Sequence, residues 1–145
     1  MKAFGEKIKL VVVLEATLGG TRKFTDDLLL GLNKEKFDIT FIYSTVRCDE
    51  IFIHDLEVLR HHGITLIDIP FKRAVGFFDD LSALFTLTRT LRRIKPDVVY
   101  LNAAKAGALG RIAGKIAGVK KCYYNPHGGS FHKFQKLSGA VYLFV

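Results

Sequence analysis

From Lys95 to Asn125 the chain reads KPDVVYLNAAKAGALGRIAGKIAGVKKCYYN. Pro96-Asp97 breaks what precedes it, and Val98 to Leu101 is a short apolar, β-branched run that reads as a strand. Ala104 to Ala117 is a helix of small residues, stopped at Gly118. Cys122 to Asn125 is a second strand. A strand, a helix and a strand joined by short connectors form a right-handed βαβ unit with parallel strands. The alanines and glycines of the helix let it lie close to the sheet.

Working outward, the same alternation covers the rest of the chain. Ile8 to Leu14 is a nearly continuous apolar run, as in a strand buried on both faces. Thr21 can cap a helix running to about Asn33, with Phe24, Leu28, Leu29 and Leu32 at helical spacing. Phe37 to Tyr43 is a strand. Asp49 to His62 is a helix with Ile53, Leu56 and Leu59 on one side, and His61-His62 beside Gly63 read as its cap. Ile64 to Ile69 is a strand ended by Pro70. Phe71 to Phe78 is a basic and aromatic loop, followed by a helix from Asp79 or Asp80 through Leu81, Leu84, Leu87 and Leu91 to Ile94. Five strands alternating with helices predict an α/β, Rossmann-like, three-layer domain with a parallel sheet. Such a sheet binds ligands at the carboxyl ends of its strands.

Composition agrees with one domain. The 145 residues are 49% hydrophobic and 25% charged, enough apolar surface for a core, which excludes disorder. The longest run without Asp, Glu, Lys or Arg is Cys122 to His132, 11 residues against the ~20 of a spanning helix. The first residues are charged and short, unlike a signal peptide. Cys48 and Cys122 are far apart and have no zinc spacing, which fits a reducing cytoplasm. The net charge of +8 is lopsided. Residues 1–88 carry a net −2, and residues 89–145 carry +10 with Asp97 as the one acid. Either this is a solvated face, or it meets phosphate esters, anionic lipid or nucleic acid. The apolar end from Leu137 to Val145 stops in mid-pattern, which predicts a second domain beyond it.

Three loops fall at the carboxyl edge. Leu18-Gly19-Gly20-Thr21-Arg22-Lys23 follows the first strand. Its glycines serve either a tight turn or close approach of a phosphate to a helix N-terminus. Asn102 and Lys105 follow the fourth strand. A cation in the first helical turn opposes the helix dipole, so Lys105 is either solvated or offset by another interaction. Asn125-Pro126-His127-Gly128-Gly129-Ser130 follows the fifth strand and holds a histidine between proline and paired glycines. Sharper motifs are missing. There is no GxGxxG, no GxxxxGK[ST], no GxSxG, and only Glu15 where a phosphorelay receiver has paired acids.

The order of a Gly-Gly loop, then KPDVVYLNAAKAGALGRIAGKIAG, then YYNPHGGSF resembles the N-terminal domain of family 4 GT-B glycosyltransferases. The likeness is to the bacterial polysaccharide-building branch, where "PDVVHxH" leads into "SKAGxLGRLAA" and then "YTPHG". It is specific over Lys95 to Phe131. Asn102 departs from it, standing where many members have histidine, and asparagine cannot titrate.

The resemblance implies a two-domain enzyme that moves a sugar from a nucleotide-sugar donor to a lipid-linked or other saccharide acceptor. This chain would be its acceptor-side half, and a C-terminal half would bind the donor nucleotide. Carried over by position, Gly19 and Gly20 would offer backbone N–H groups to a diphosphate. His127, as the catalytic residue, and Gly128 would contact the transferring sugar. Asn102 and Lys105 would line the acceptor side. The family is metal-independent, uses no cofactor beyond the donor itself, and mostly retains anomeric configuration. The basic half and the Phe71–Phe78 loop would meet an anionic membrane surface from the cytoplasmic side, with no nucleic acid as partner. The competing readings are a flavodoxin-like phosphate- or flavin-binding module and a nucleic-acid binder, although the chain has neither a recognition-helix signature nor an aromatic RNA platform.

Overall fold

A computed structural model describes residues 5–127. Five parallel strands, β1 (Ile8–Leu14), β2 (Phe37–Tyr43), β3 (Thr65–Asp68), β4 (Val98–Asn102) and β5 (Lys121–Asn125), lie in the order β3-β2-β1-β4-β5. Four helices connect them: α1 (Gly19–Gly31), α2 (Glu50–His61), α3 (Phe77–Ile94) and α4 (Ala104–Ala117). The chain winds outward from β1 through β2 to β3, then returns to the other side of β1 for β4 and β5. The direction reverses between β1 and β4, and sheets of this kind bind ligands at the carboxyl edge of such a reversal. This order also disposes of the flavodoxin-like alternative, whose sheet runs 2-1-3-4-5.

The apolar run of β1 serves two cores. Val11 and Val13 point to the face covered by α3 and α4, where they join Ile42, Leu87, Leu91, Val99, Leu101 and Ala113. Leu10, Val12 and Leu14 point to the face covered by α1 and α2, with Phe41, Phe52, Leu56 and Leu59. A strand in the middle of three layers has no solvent side, so its sequence cannot alternate. Helix α4 sits unusually close to the sheet. A Cβ on Gly107 would run into the Tyr124 ring, and one on Gly110 into Leu101.

The helix faces differ in part from the sequence expectation. Helix α1 starts at Gly19 (φ 58°) behind Leu18, and Thr21 lies inside it rather than capping it. Its inward face is Thr25, Asp26 and Leu29, because α1 meets α2 through charged groups, and Phe24 is 43% exposed. Helix α2 is capped by Asp49, whose Oδ1 accepts from the Phe52 N–H at 2.8 Å. It buries Phe52, not Ile53. It ends at His62, with Nδ1 2.8 Å from the Val58 carbonyl, before Gly63 at φ 75°. Helix α3 starts at Phe77, two residues ahead of the expected Asp79, because Gly76 takes the extended cap conformation. The aromatic loop before it divides accordingly: Phe71 is buried in the core, while Phe77 and Phe78 are 76% and 83% exposed. Among the described residues no helix is long and apolar enough to cross a membrane.

Candidate functional site

The loops at the carboxyl edge are tied to one another. Thr17, fully buried, shares its one Oγ1 proton between the carbonyls of Ser44 (2.9 Å) and Arg47 (2.8 Å), joining the loops after β1 and β2. Ser44 Oγ in turn accepts from the Phe71 N–H at 3.0 Å, which adds the loop after β3. Side-chain bonds of this kind satisfy backbone groups that loops would otherwise leave buried and unpaired.

Two of the expected site residues, Asn102 and His127, meet at this edge. Asn102 is the last residue of β4 and has no exposed surface. Its Oδ1 lies 2.7 Å from His127 Nε2, and among the described residues its Nδ2 has no partner. The other face of the contact comes from α1, which Gly19 and Gly20 open. Phe24, read from sequence as a core residue, instead stands edge-on to the His127 ring with centroids 4.8 Å apart. Burial holds the His127 pKa below the ordinary imidazole range. The backbone here is strained: Ala103 sits at φ 71°, ψ 171°, a region that is essentially glycine's. Its N–H donates to the Asn125 carbonyl at 3.1 Å. Gly128 lies outside the described residues.

Lys105 is turned elsewhere. Its Nζ pairs with Asp80 Oδ1 at 2.5 Å and donates to the carbonyls of Lys72 (2.5 Å) and Ala74 (2.8 Å). The offsetting interaction expected for a cation at a helix start is therefore internal, and the ammonium clamps the loop between β3 and α3. The dipole of α4 is met by Glu15, whose two oxygens accept from the Lys105 and Ala106 N–H groups at 2.9 Å each. Burial raises the Glu15 pKa, against those backbone bonds and the more distant Arg47, which lower it. Sequence reading missed the roles of Glu15, Asp80 and Phe24. Glu15 is 90 residues from its partner, and no local signal reports such a contact.

Each of the four helices among the described residues starts at this edge, and a carboxylate answers three of them. Asp49 caps α2, Asp80 accepts from the Gly76 N–H at 3.3 Å at the head of α3, and Glu15 caps α4. Helix α1 differs: it has no side-chain cap and no acid in its first turn. A Cβ on Gly19 or Gly20 would meet nothing within 4 Å, so the start of α1 is open to an approaching group. Arg22 faces away, toward Asp26, Asp49 and Asp55. Much of the cationic surplus among the described residues lies at the other rim. Arg92 and Arg93 end α3, Lys115 ends α4, and Lys120 and Lys121 lead into β5. Among the described residues no group of three or more His, Cys, Asp or Glu side chains is disposed to hold a metal.

Residues 19–145 match the family model described as "Glycosyl transferase 4-like domain". The chain is 28% identical over 140 residues to the UDP-Gal:alpha-D-GlcNAc-diphosphoundecaprenol alpha-1,3-galactosyltransferase of Escherichia coli. The match takes in 95% of this chain and 34% of that protein, so the chain spans about a third of the relative's length. A lipopolysaccharide outer core galactosyltransferase superposes with a TM-score of 0.63 at 16% identity, over 88% of this chain and 35% of the other. A UDP-N-acetylglucosamine 2-epimerase superposes at 0.60 and 16% identity, over 90% and 37%. At such identities the two structures establish the α/β fold alone. The family match extends over most of the chain, and with it the chain belongs to the glycosyl transferase 4-like domain family.

Proposed function

We propose that this chain is the acceptor-side half of a glycosyltransferase. It moves a sugar from a nucleotide-sugar donor to a lipid-linked saccharide in cell-surface polysaccharide synthesis. The observation that carries the reading is the open start of the helix whose Phe24 packs on His127, at an edge where, among the described residues, carboxylates meet the other three helix starts. A diphosphate leaving group gains charge in the transition state. Fixed N–H dipoles at Gly19, Gly20 and the residues after them stabilise that charge without reorganising. In this reading the nucleotide sugar is a substrate, no cofactor or metal takes part, and anomeric configuration is retained. His127 contacts the transferring sugar. Lys105 shapes the acceptor side through the loop that it clamps rather than by touching substrate. The donor nucleotide is held by a second domain facing this edge.

The acceptor's lipid sets where the protein works. The outer face of α3 exposes Phe77, Phe78, Leu81 (51%) and Phe85 (66%). Arg89, Arg92 and Arg93 continue the helix, and Lys72 and Arg73 precede it. An apolar stripe with a cationic end suits the interface of an anionic bilayer, where each Lys or Arg near the surface contributes about 1 kcal/mol. The cations at the amino rim then face headgroups and leave the reacting diphosphate to α1. On this reading the enzyme works at the cytoplasmic side of the membrane.

The test is sugar transfer with UDP-galactose and GlcNAc-diphosphoundecaprenol, the pair named by the relative. The 145-residue chain alone is expected to transfer nothing. A protein in which it is joined to a donor-binding domain transfers galactose, also with EDTA present, and loses turnover in His127→Ala. Transfer by the chain alone overturns the two-domain account. Epimerisation of the nucleotide sugar without any acceptor overturns the transferase reading.

A further inference from the structure

Two costs fall on consecutive residues at the end of β4. Asn102 is fully buried and among the described residues its Nδ2 has no partner, and an unmet buried donor is expensive. Ala103 carries a φ/ψ pair that only glycine adopts without strain. Strain and unmet polar groups persist where the surroundings over-determine them, and here their joint result is one amide oxygen held 2.7 Å from one imidazole nitrogen. That separation is a good N–H···O distance.

We infer that Asn102 is a positioning residue that holds His127 as its Nε2–H tautomer, leaving the Nδ1 lone pair as the ring's group for a ligand. Oδ1 is an acceptor only, so the proton of the contact belongs to Nε2. Phe24, edge-on at 4.8 Å with the rings inclined by 68°, fixes the ring plane from the opposite element. Among the described residues Nδ1 has no partner. The lowered His127 pKa keeps the ring neutral, with burial as its cause. A neutral ring that shows a lone pair accepts from a hydroxyl and gives nothing to a phosphate oxygen. The ligand group at this position is therefore a sugar hydroxyl, while the diphosphate goes to α1. That last assignment rests on the transferase reading, whereas the tautomer does not.

The experiment is long-range 1H–15N NMR of the histidine rings in the 15N-labelled protein, titrated from pH 8 to pH 5. His127 is expected wholly as the Nε2–H form at pH 8. Asn102→Ala shifts it to a tautomer mixture. Asn102→Asp, which keeps an acceptor and adds a charge, retains the Nε2–H form with a higher pKa. Inorganic phosphate leaves the Nδ1 signal in place. A wild-type ring carrying its proton on Nδ1, or a His127 spectrum unchanged in Asn102→Ala, overturns the positioning role. Protonation of Nδ1 by added phosphate overturns the hydroxyl assignment. If Asn102→Ala does not fold, the wild-type tautomer and the aspartate variant still decide. None of these readouts requires sugar transfer, so a failed activity assay and a failed tautomer are separate results.

Discussion

Lys105 shows how much a single residue can change in meaning once its neighbours are known. In sequence it stands in a loop where substrates bind, and the dipole argument says only that something offsets it. In the fold it is spent on Asp80 and two carbonyls. Lys105→Met is expected to cost about 1–3 kcal/mol, since it leaves a half-buried carboxylate and two carbonyls without their donor. Chemical denaturation measures the loss, and hydrogen exchange should locate it in residues 71–76. A value within error of zero would mean that the clamp contributes nothing. Gly19, Gly20 and His127 were legible as candidates because a glycine pair and a loop histidine mark positions in the chain, and Asn102 because it follows the fourth strand within the family motif. Glu15 and Phe24 were not. An acid after a strand and an aromatic in a helix look ordinary until another loop is folded against them.

At the scale of elements, β1, β2 and α4 have the ends that periodicity assigned to them, because long apolar runs and a terminal glycine leave little choice of boundary. The errors lie in which way helices face. Phe24, Ile53 and Leu81 satisfy the helical spacing and still point outward. A hydrophobic period fixes a stripe, and only packing decides which of two adjacent stripes is covered. Two predictions belong here. Gly110→Ala forces a methyl into Leu101, which is fully buried and has no room to give. Overpacking costs about 1–3 kcal/mol, more than the ~1 kcal/mol that alanine gains in a helix, so a net loss is expected in a urea melt. The outer stripe of α3 answers to a different measurement. Phe77→Ser with Phe78→Ser should abolish flotation with anionic vesicles and leave the denaturation midpoint in place, because both rings are already in solvent. Equal flotation with neutral vesicles would remove charge from the account.

Across the whole molecule, the two sides of the sheet are held differently. Helices α3 and α4 pack through apolar groups, whereas α1 and α2 meet through Arg22, Asp26, Asp49 and Asp55. Burial, aided by Asp55, pushes the Asp26 pKa to about 7. The native state therefore keeps a proton that the unfolded chain, at 3.8, has already released. Between those values the unfolded state binds fewer protons, so stability falls as pH rises. Asp26→Asn removes the titration, and it should exceed the parent in stability at pH 8 and lose that advantage toward pH 4. Parallel melts across this range check it, and curves that stay parallel would contradict it.

The internal engagement of Lys105 also sets its chemical reactivity. Acylating reagents must reach the nitrogen, and an amine packed against a carboxylate and two carbonyls with little exposed surface is seldom reached. Under a limiting dose of such a reagent the outward-facing lysines are consumed early and this one late. Once acetylated, it can no longer bind Asp80 as a cation, so its delayed labelling would coincide with release of the segment it had been holding.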